Sequence, residues 1–326
     1  YNLGVEFGLW NGLLNGNIDL FYEKRNDILT NYLTRPEWVG VTMAAGNLGK
    51  TVNSGYEIEL KHNNRLGKDF SYNVGLTFSH AKNEIKNMDE PALKTGYRKR
   101  EGHPIGQYYG LVSDGFVTSA DLTNPNFPTS TFGNVQVGDL RYRDMNNDGF
   151  IDERDETFIG YSDVPENTYA LTLGGTYKGI GFSVMFQGVD HVSRYYDAEA
   201  MYAFVSGGKV KEHHLDRWNP SVSESENLAN AKYPLLHYDS YGDHNQRQNS
   251  FFLKNGAFLR LKNIELSYTL PIKWTEKVGM SDCRIYVNGN NLITWDHLDD
   301  LCDPESNGSN RYPIMKTVNF GVNIKF

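Results

Sequence analysis

Phe70-Ser71-Tyr72-Asn73-Val74-Gly75-Leu76-Thr77-Phe78-Ser79 carries an aromatic or aliphatic side chain at every even position and a small or amide side chain at every odd one. Successive side chains of a β-strand point to opposite faces, so a period of two means a strand with one apolar and one polar face. The run is about 10 residues long, the length a tilted strand needs to cross a bilayer. Its polar face is built of hydroxyls, an amide and glycine rather than of charges, as suits a wall facing a filled interior.

The same alternation recurs on both sides of this stretch. Val5, Phe7 and Leu9 alternate with Glu6 and Gly8, and Ile18, Leu20 and Tyr22 with Asp19 and Glu23. Tyr56, Ile58 and Leu60 oppose Glu57, Glu59 and Lys61; Leu171 and Leu173 oppose Thr172 and Gly174; Phe182, Val184 and Phe186 oppose Ser183, Met185 and Gln187. Ile264, Leu266, Tyr268 and Leu270 form one face, Ile285 and Val287 another, and Val318, Phe320, Val322 and Ile324 a last one that ends on aromatic Phe326. The connections sort by length. Those at 11–15, 63–68, 178–179 and 272–281 are short, and those at 30–50, 82–168, 191–256 and 293–315 are long. Short periplasmic turns and long extracellular loops are the arrangement of bacterial outer-membrane barrels, and a soluble sandwich has no reason to sort its loops this way. The reading is all-β: a transmembrane antiparallel β-barrel in which residues 1–326 supply about nine strands, with long extracellular loops at 82–168 and 191–256. Single-chain bacterial barrels have an even strand number, so further strands and any plug are expected upstream of Tyr1. Val318, Phe320, Val322 and Ile324 are expected to face lipid, and Tyr22 and Tyr268 to sit near the two interfaces. Phe326 is expected to anchor the last strand or to be read during assembly.

Composition bounds the alternatives. The 326 residues carry 32 Lys and Arg against 40 Asp and Glu, a net charge of -8, which argues against a nucleic-acid partner. No run reaches the length and apolarity of a membrane helix, which says nothing against a barrel. The 21 Tyr and 17 Phe favour strands, and the 32 Gly favour turns. Cys283 falls in a strand and Cys302 in a loop, so no disulfide framework is expected.

One motif carries recognisable chemistry. Asp144-Met145-Asn146-Asn147-Asp148-Gly149-Phe150-Ile151-Asp152-Glu153-Arg154-Asp155 follows the calcium-loop pattern D-x-[DN]-x-[DN]-G. Calcium takes six to eight oxygens. Asp144, Asn146 and Asp148 would offer side-chain oxygens, Phe150 its carbonyl, Asp152 a water-mediated contact and Asp155 the closing carboxylate. The flanks are not helical, so a structural Ca2+ that orders loop 82–168 is expected rather than an EF-hand pair. Gly49-Lys50-Thr51 resembles the end of a phosphate-binding loop, but Ala44 stands where glycine is needed and a strand follows. No G-x-S-x-G, H-E-x-x-H or C-x-x-C occurs, so no enzyme is expected. The adjacent His213 and His214 have the wrong spacing for ligands on one helical face. Tyr195, Tyr196, Tyr202, Phe204, Trp218 and Trp295 fall in or beside the long loops. Tyr195, Tyr196, Trp218 and Trp295 are carried forward as candidate substrate-stacking residues, the alternative being that they pack the loops or form an interfacial girdle.

Several blocks resemble the SusC/RagA family of TonB-dependent transporters, in sequence and in order. They include Asn53-Ser54-Gly55-Tyr56-Glu57, Gly102-His103-Pro104-Ile105-Gly106-Gln107-Tyr108-Tyr109-Gly110 and Gly138-Asp139-Leu140-Arg141-Tyr142-Arg143-Asp144. They continue with Phe186-Gln187-Gly188, Asp216-Arg217-Trp218-Asn219-Pro220, Phe258-Leu259-Arg260-Leu261-Lys262-Asn263-Ile264, Asn290-Asn291-Leu292, Asp303-Pro304-Glu305 and Tyr312-Pro313. The resemblance implies a barrel of ~22 strands with a plugged lumen in the outer membrane of a Gram-negative bacterium. It also implies coupling to TonB through an N-terminal part and pairing with a SusD-like surface lipoprotein. The cargo it implies is an oligosaccharide, or else a peptide. The competing readings are a non-transport barrel such as an adhesin, and a soluble calcium-stabilised protein that binds glycans.

Overall fold

The computed structural model describes all residues except 35–39, 41–43, 92–94, 197–201, 205–208, 239–243, 299–300 and 307–311. Nine strands form one antiparallel sheet in sequential order. They are β1 (Asn2–Leu9), β2 (Leu14–Thr30), β3 (Gly46–Leu66), β4 (Phe70–Asn87), β5 (Asn167–Tyr177), β6 (Ile180–Asp190), β7 (Phe258–Thr269), β8 (Asp282–Trp295) and β9 (Thr317–Lys325). Every pairing joins neighbours in sequence, which makes the sheet a simple up-and-down wall.

The register lines up the apolar rows foreseen from the alternation. Leu60 pairs with Leu76, Leu76 with Leu171, and Leu171 with Phe186. Lower down, Phe182 pairs with Leu266, Leu266 with Val287, and Val287 with Phe320. None of these rows is buried: Leu60, Leu171, Phe186 and Val287 are half-buried, Leu266 is 55% and Phe320 83% accessible, and Val318, Val322 and Ile324 are exposed beside them. So much apolar surface in contiguous rows suits hydrocarbon and not water. Tyr22 and Tyr56 bound the band on the side of the long loops, and Phe70, Tyr177 and Tyr268 on the side of the short turns. Tyr56 and Leu66 are ten positions apart on β3. At strand rise and barrel tilt that separation spans roughly 25 Å, the height of a membrane barrel's apolar belt.

Three strands run further than their apolar alternation reaches. β2, β3 and β4 have 17, 21 and 18 residues. Above Tyr22, Tyr56 and His80 their outward row becomes Lys24, Lys82, Glu84 and Lys86, with ion pairs from Lys82 to Glu166 at 3.6 Å and from Lys86 to Glu84 at 2.5 Å. The ladder therefore continues into water. There backbone hydrogen bonding holds it, and no apolar signal marks it in the sequence.

The larger hydrophobic core lies outside the wall, and a smaller cluster of Val189, Val192 and Phe258 sits at the upper ends of β6 and β7. In the larger one Leu111, Leu140, Tyr142, Ile151, Tyr196, Tyr233, Phe252 and Leu298 form one buried cluster, and none belongs to a wall strand. They come from three different long loops, which fold together into one extracellular assembly.

Candidate functional site

Short pairings give the loop assembly its frame. Gln107–Gly110 pairs with Thr157–Ser162, Ser113–Phe116 with Leu140–Tyr142, and Ser193–Tyr195 with Leu253–Asn255. Gly138 adopts φ +95, and an added Cβ would lie 2.4 Å from the ring of Trp218. Only glycine fits both the left-handed backbone and the ring above it.

A buried polar network ties the segments of this assembly. Asp139 is 1% exposed. Its Oδ1 accepts from His237 Nε2 at 2.6 Å and Asn245 Nδ2 at 2.8 Å, and its Oδ2 from the Gln136 N–H at 2.7 Å. Asn245 Oδ1 accepts the Leu140 N–H at 2.8 Å. His244 Nε2 lies 2.6 Å from the Leu140 carbonyl and Nδ1 2.8 Å from Ser130 Oγ. A carbonyl can only accept, so Nε2 carries the proton and neutral His244 accepts from Ser130 through Nδ1. Burial pushes the His244 pKa below its ordinary value of 6.5. The folded loops thus prefer the uncharged ring. Its contribution to stability is present above pH 6.5 and is lost as pH falls below that value. Protection factors for amide exchange around 244–249, corrected for the intrinsic pH dependence of exchange, are expected to fall on acidification in the wild type, and His244→Gln is expected to flatten that response. An unchanged pH profile in the variant would assign the titration to another group.

A second cluster fastens the loop after β8 to the wall. Arg260 on β7 is 1% exposed. Its Nη2 donates to both Asp303 oxygens at 2.9 and 2.8 Å, its Nη1 to Glu305, and its Nε to Thr294 Oγ1 at 3.0 Å. Lys262 Nζ reaches Glu305 at 3.1 Å. Two cations on the strand meet two carboxylates on the loop, so the group is neutral within itself.

The acidic loop is ordered mainly by its own backbone. Asp144 accepts N–H bonds from Asn147 at 2.6 Å and Gly149 at 2.9 Å. Asn146 Oδ1 accepts from Asp148 at 2.9 Å, and Asp148 from Phe150 at 3.0 Å. Asp155 has no exposed surface and accepts from Met145 at 2.9 Å and Asp152 at 2.8 Å. Burial raises its pKa despite those donors, with Asp144 and Asp152 adding to the rise. The guanidinium of Arg154 lies 2.7 Å from both Asp148 and Asp152. Among the described residues no three Asp, Glu, His or Cys side chains are gathered as a metal cluster. A built-in cation, Arg154, sits on two members of the expected ligand set.

Two of the four candidate stacking aromatics take the packing alternative. Tyr196 is 1% and Trp218 3% exposed. The Tyr196 hydroxyl donates to the Leu298 carbonyl, and Trp218 packs edge-on against Phe116 at 5.6 Å. Tyr195 is half-buried, 5.9 Å from Tyr108, with its hydroxyl accepting the Asn249 N–H. Trp295 is exposed, but it pairs with Leu259 at the upper end of the outward row. Tyr202 packs edge-on against Phe252, and Phe204 contacts Tyr238. Tyr196 and Trp218 thus offer no face to a substrate. Their rings are apolar mass for the loop core, because the loops have no other interior to build on.

A family model described as TonB dependent receptor-like, beta-barrel matches residues 1–292. This chain belongs to that family. TonB-dependent receptor P3 of Formosa agariphila is 26% identical over 358 aligned positions, covering 100% of this chain and 34% of the relative. TonB-dependent receptor SusC of Bacteroides thetaiotaomicron is 25% identical over 345 positions, covering 100% and 31%. The chain therefore spans about a third of the length of these curated relatives. The solved structure titled RagAB peptide transporter superposes with a TM-score of 0.72 at 20% identity, covering 100% of this chain and 35% of that one. At that identity the likeness is one of fold.

As a TonB-dependent receptor barrel, the chain sits in the outer membrane of a Gram-negative cell and turns its polar face to the lumen. That face is rich in amides and hydroxyls that bond to one another. Ser71 and Thr176 lie 2.6 Å apart, Asn263 donates to Asn290 at 2.9 Å, and Asn319 to Asn288 at 2.9 Å. The Arg260 clasp and the Asp139 network were not singled out from the sequence. An arginine inside the strand block Phe258–Thr269, with two carboxylates in the Asp303-Pro304-Glu305 block, was the available signal.

Proposed function

We propose that this barrel wall serves TonB-dependent import of an oligosaccharide across the outer membrane, in a full-length transporter that pairs with a SusD-like surface lipoprotein. The family match over residues 1–292 carries the transport reading. The hydrogen-bonding amides and hydroxyls of the lumenal face, which stand among charged side chains such as Glu57, Glu59 and Lys61, support a hydroxyl-rich cargo. A peptide is the second reading, favoured by the likeness in fold to a structure titled as a peptide transporter. Deleting the gene in the native host is expected to abolish growth on one oligosaccharide while leaving growth on its monosaccharide intact, and loss of TonB is expected to copy the defect. Growth lost on peptides alone would select the second reading. Undiminished uptake of every cargo would reject transport.

We also propose that the acidic loop takes up Ca2+ through Asp144, Asn146, Asp148, the Phe150 carbonyl, Asp152 and Asp155. The donor chemistry fits, since every contributed atom is oxygen. Arg154 opposes it by neutralising Asp148 and Asp152. Calcium is expected to slow proteolysis within 82–168 relative to chelator, and Arg154→Met is expected to increase that protection. Equal cleavage under both conditions, in both proteins, would leave Arg154 as the loop's own counter-ion.

A further inference from the structure

We propose that the periplasmic rim formed by three adjacent turns is a docking surface for anionic glycerophospholipid headgroups of the inner leaflet. The turns are those joining β3 to β4, β5 to β6 and β7 to β8. They lie side by side: the Lys178 N–H donates to the Asp69 carbonyl at 3.2 Å, and the Thr269 N–H to the Gly179 carbonyl at 2.8 Å. Arg65, Lys68, Lys178, Lys273 and Lys277 fall in or beside them, against Asp69, Glu276 and Asp282. All five cations are exposed, and among the described residues Lys68, Lys178, Lys273 and Lys277 form no ion pair. On a chain of net charge -8, a rim with more cations than carboxylates and its lysines unpaired calls for an external anion.

Apolar side chains say where that anion lies. The turn after β7 starts with a short helix, Ile272–Thr275, and a 3-10 turn, Glu276–Val278. Ile272 is 48%, Trp274 61% and Val278 65% exposed, while Thr275 between them is buried against the wall. In water each would leave large apolar surface uncovered. The outward apolar row Ile264, Leu266, Tyr268 leads directly into this turn, so the lipid-facing band is continuous with it. Lys178 Nζ lies 5.3 Å from the ring centre of Tyr177, at the aromatic edge of that band. A tryptophan at headgroup depth with lysines beside it is how a protein grips an interface. Trp274, Ile272 and Val278 enter the acyl boundary, and Lys178, Lys273 and Lys277 meet lipid phosphates. Phosphatidylglycerol, which carries a net charge, is held in preference to phosphatidylcholine, which does not.

The inference rests on the membrane orientation of the wall and not on the cargo. Full-length protein would be reconstituted in phosphatidylcholine vesicles with and without phosphatidylglycerol. Brominated acyl chains are expected to quench the emission that wild type has and Trp274→Phe lacks. Spin-labelled phosphatidylglycerol is expected to associate with the wild type in preference to phosphatidylcholine. The Lys178→Gln, Lys273→Gln, Lys277→Gln triple variant is expected to lose that preference by about tenfold or more. Changing the extracellular Lys209 and Lys211 to Gln in the same way is expected to leave it intact. Unquenched Trp274 emission would show that the turn faces the lumen and overturn the proposal. A triple variant with undiminished selectivity would overturn it equally.

Discussion

Arg260→Met is expected to detach the loop segments 296–298 and 301–306 from the barrel wall without unfolding the wall. Arg260 is nearly inaccessible and supplies the donors that hold Asp303 and Glu305, whose side chains are 11% and 22% exposed. Removing one partner of a buried ion pair leaves charges with neither water nor a counter-ion, at a cost of about 3–5 kcal/mol. Lys262 reaches only Glu305, so Asp303 has no replacement. The loop escapes the penalty by lifting its carboxylates into solvent. Leu298, buried in the extracellular core, moves with them. Hydrogen exchange in full-length protein should rise over 296–298 and 301–306 and stay unchanged in β5 and β6. Adding Asp303→Asn and Glu305→Gln should recover part of the protection, because the stranded charges are then gone. A triple variant as exposed as the single one would mean that the arginine acts through packing over Phe258, whose ring it faces at 5.5 Å.

What the sequence revealed and what it hid divide along a physical line. Alternation is a local property. The strands around Tyr72, Leu171, Leu266 and Phe320 and the sorting of loops by length were legible because each lies in one short stretch. The register followed, since slipping one strand by a residue would turn its apolar row into the lumen. The upper reach of β3 and β4 beyond the bounds read from the sequence was illegible, and on β4 its outward row is Lys82, Glu84 and Lys86, which carries no apolar period. The loop interior was illegible for another reason: its contacts join residues about a hundred positions apart. Tyr142 reaches the His244 carbonyl at 2.9 Å, and Tyr196 the Leu298 carbonyl. No periodicity announces that a loop tyrosine will be covered. Tyr196 and Trp218 could therefore be read as binding surfaces when they are core. The acidic motif was legible as oxygen chemistry, but Arg154, part of the same motif, was not recognised as the cation already resting on it.

Phe252→Ala is expected to melt the extracellular assembly and leave the membrane wall standing. Phe252 has no exposed surface and lies edge-on to Tyr202 at 4.9 Å and Phe251 at 5.0 Å. Truncating a buried phenylalanine costs about 3–5 kcal/mol in lost transfer energy and residual cavity. In a protein with a single continuous core that loss would be felt everywhere. Here the cluster containing Phe252 includes no residue of the nine strands, and the wall is held by its ladders and by lipid. The two parts meet through polar links such as the Arg260 clasp, through backbone pairing at the loop roots and through a small separate cluster of Val189, Val192 and Phe258 that does not include Phe252, so the energetic loss should stop at the rim. Hydrogen exchange should increase across 107–162 and 244–255 together, because Leu111, Leu140, Ile151 and Phe252 share one interior, while β4 to β7 keep their protection. The variant should still insert and run as a folded barrel, and proteases added from outside should cut its loops faster. Equal destabilisation of loops and strands would show that the assembly and the wall fold as one unit.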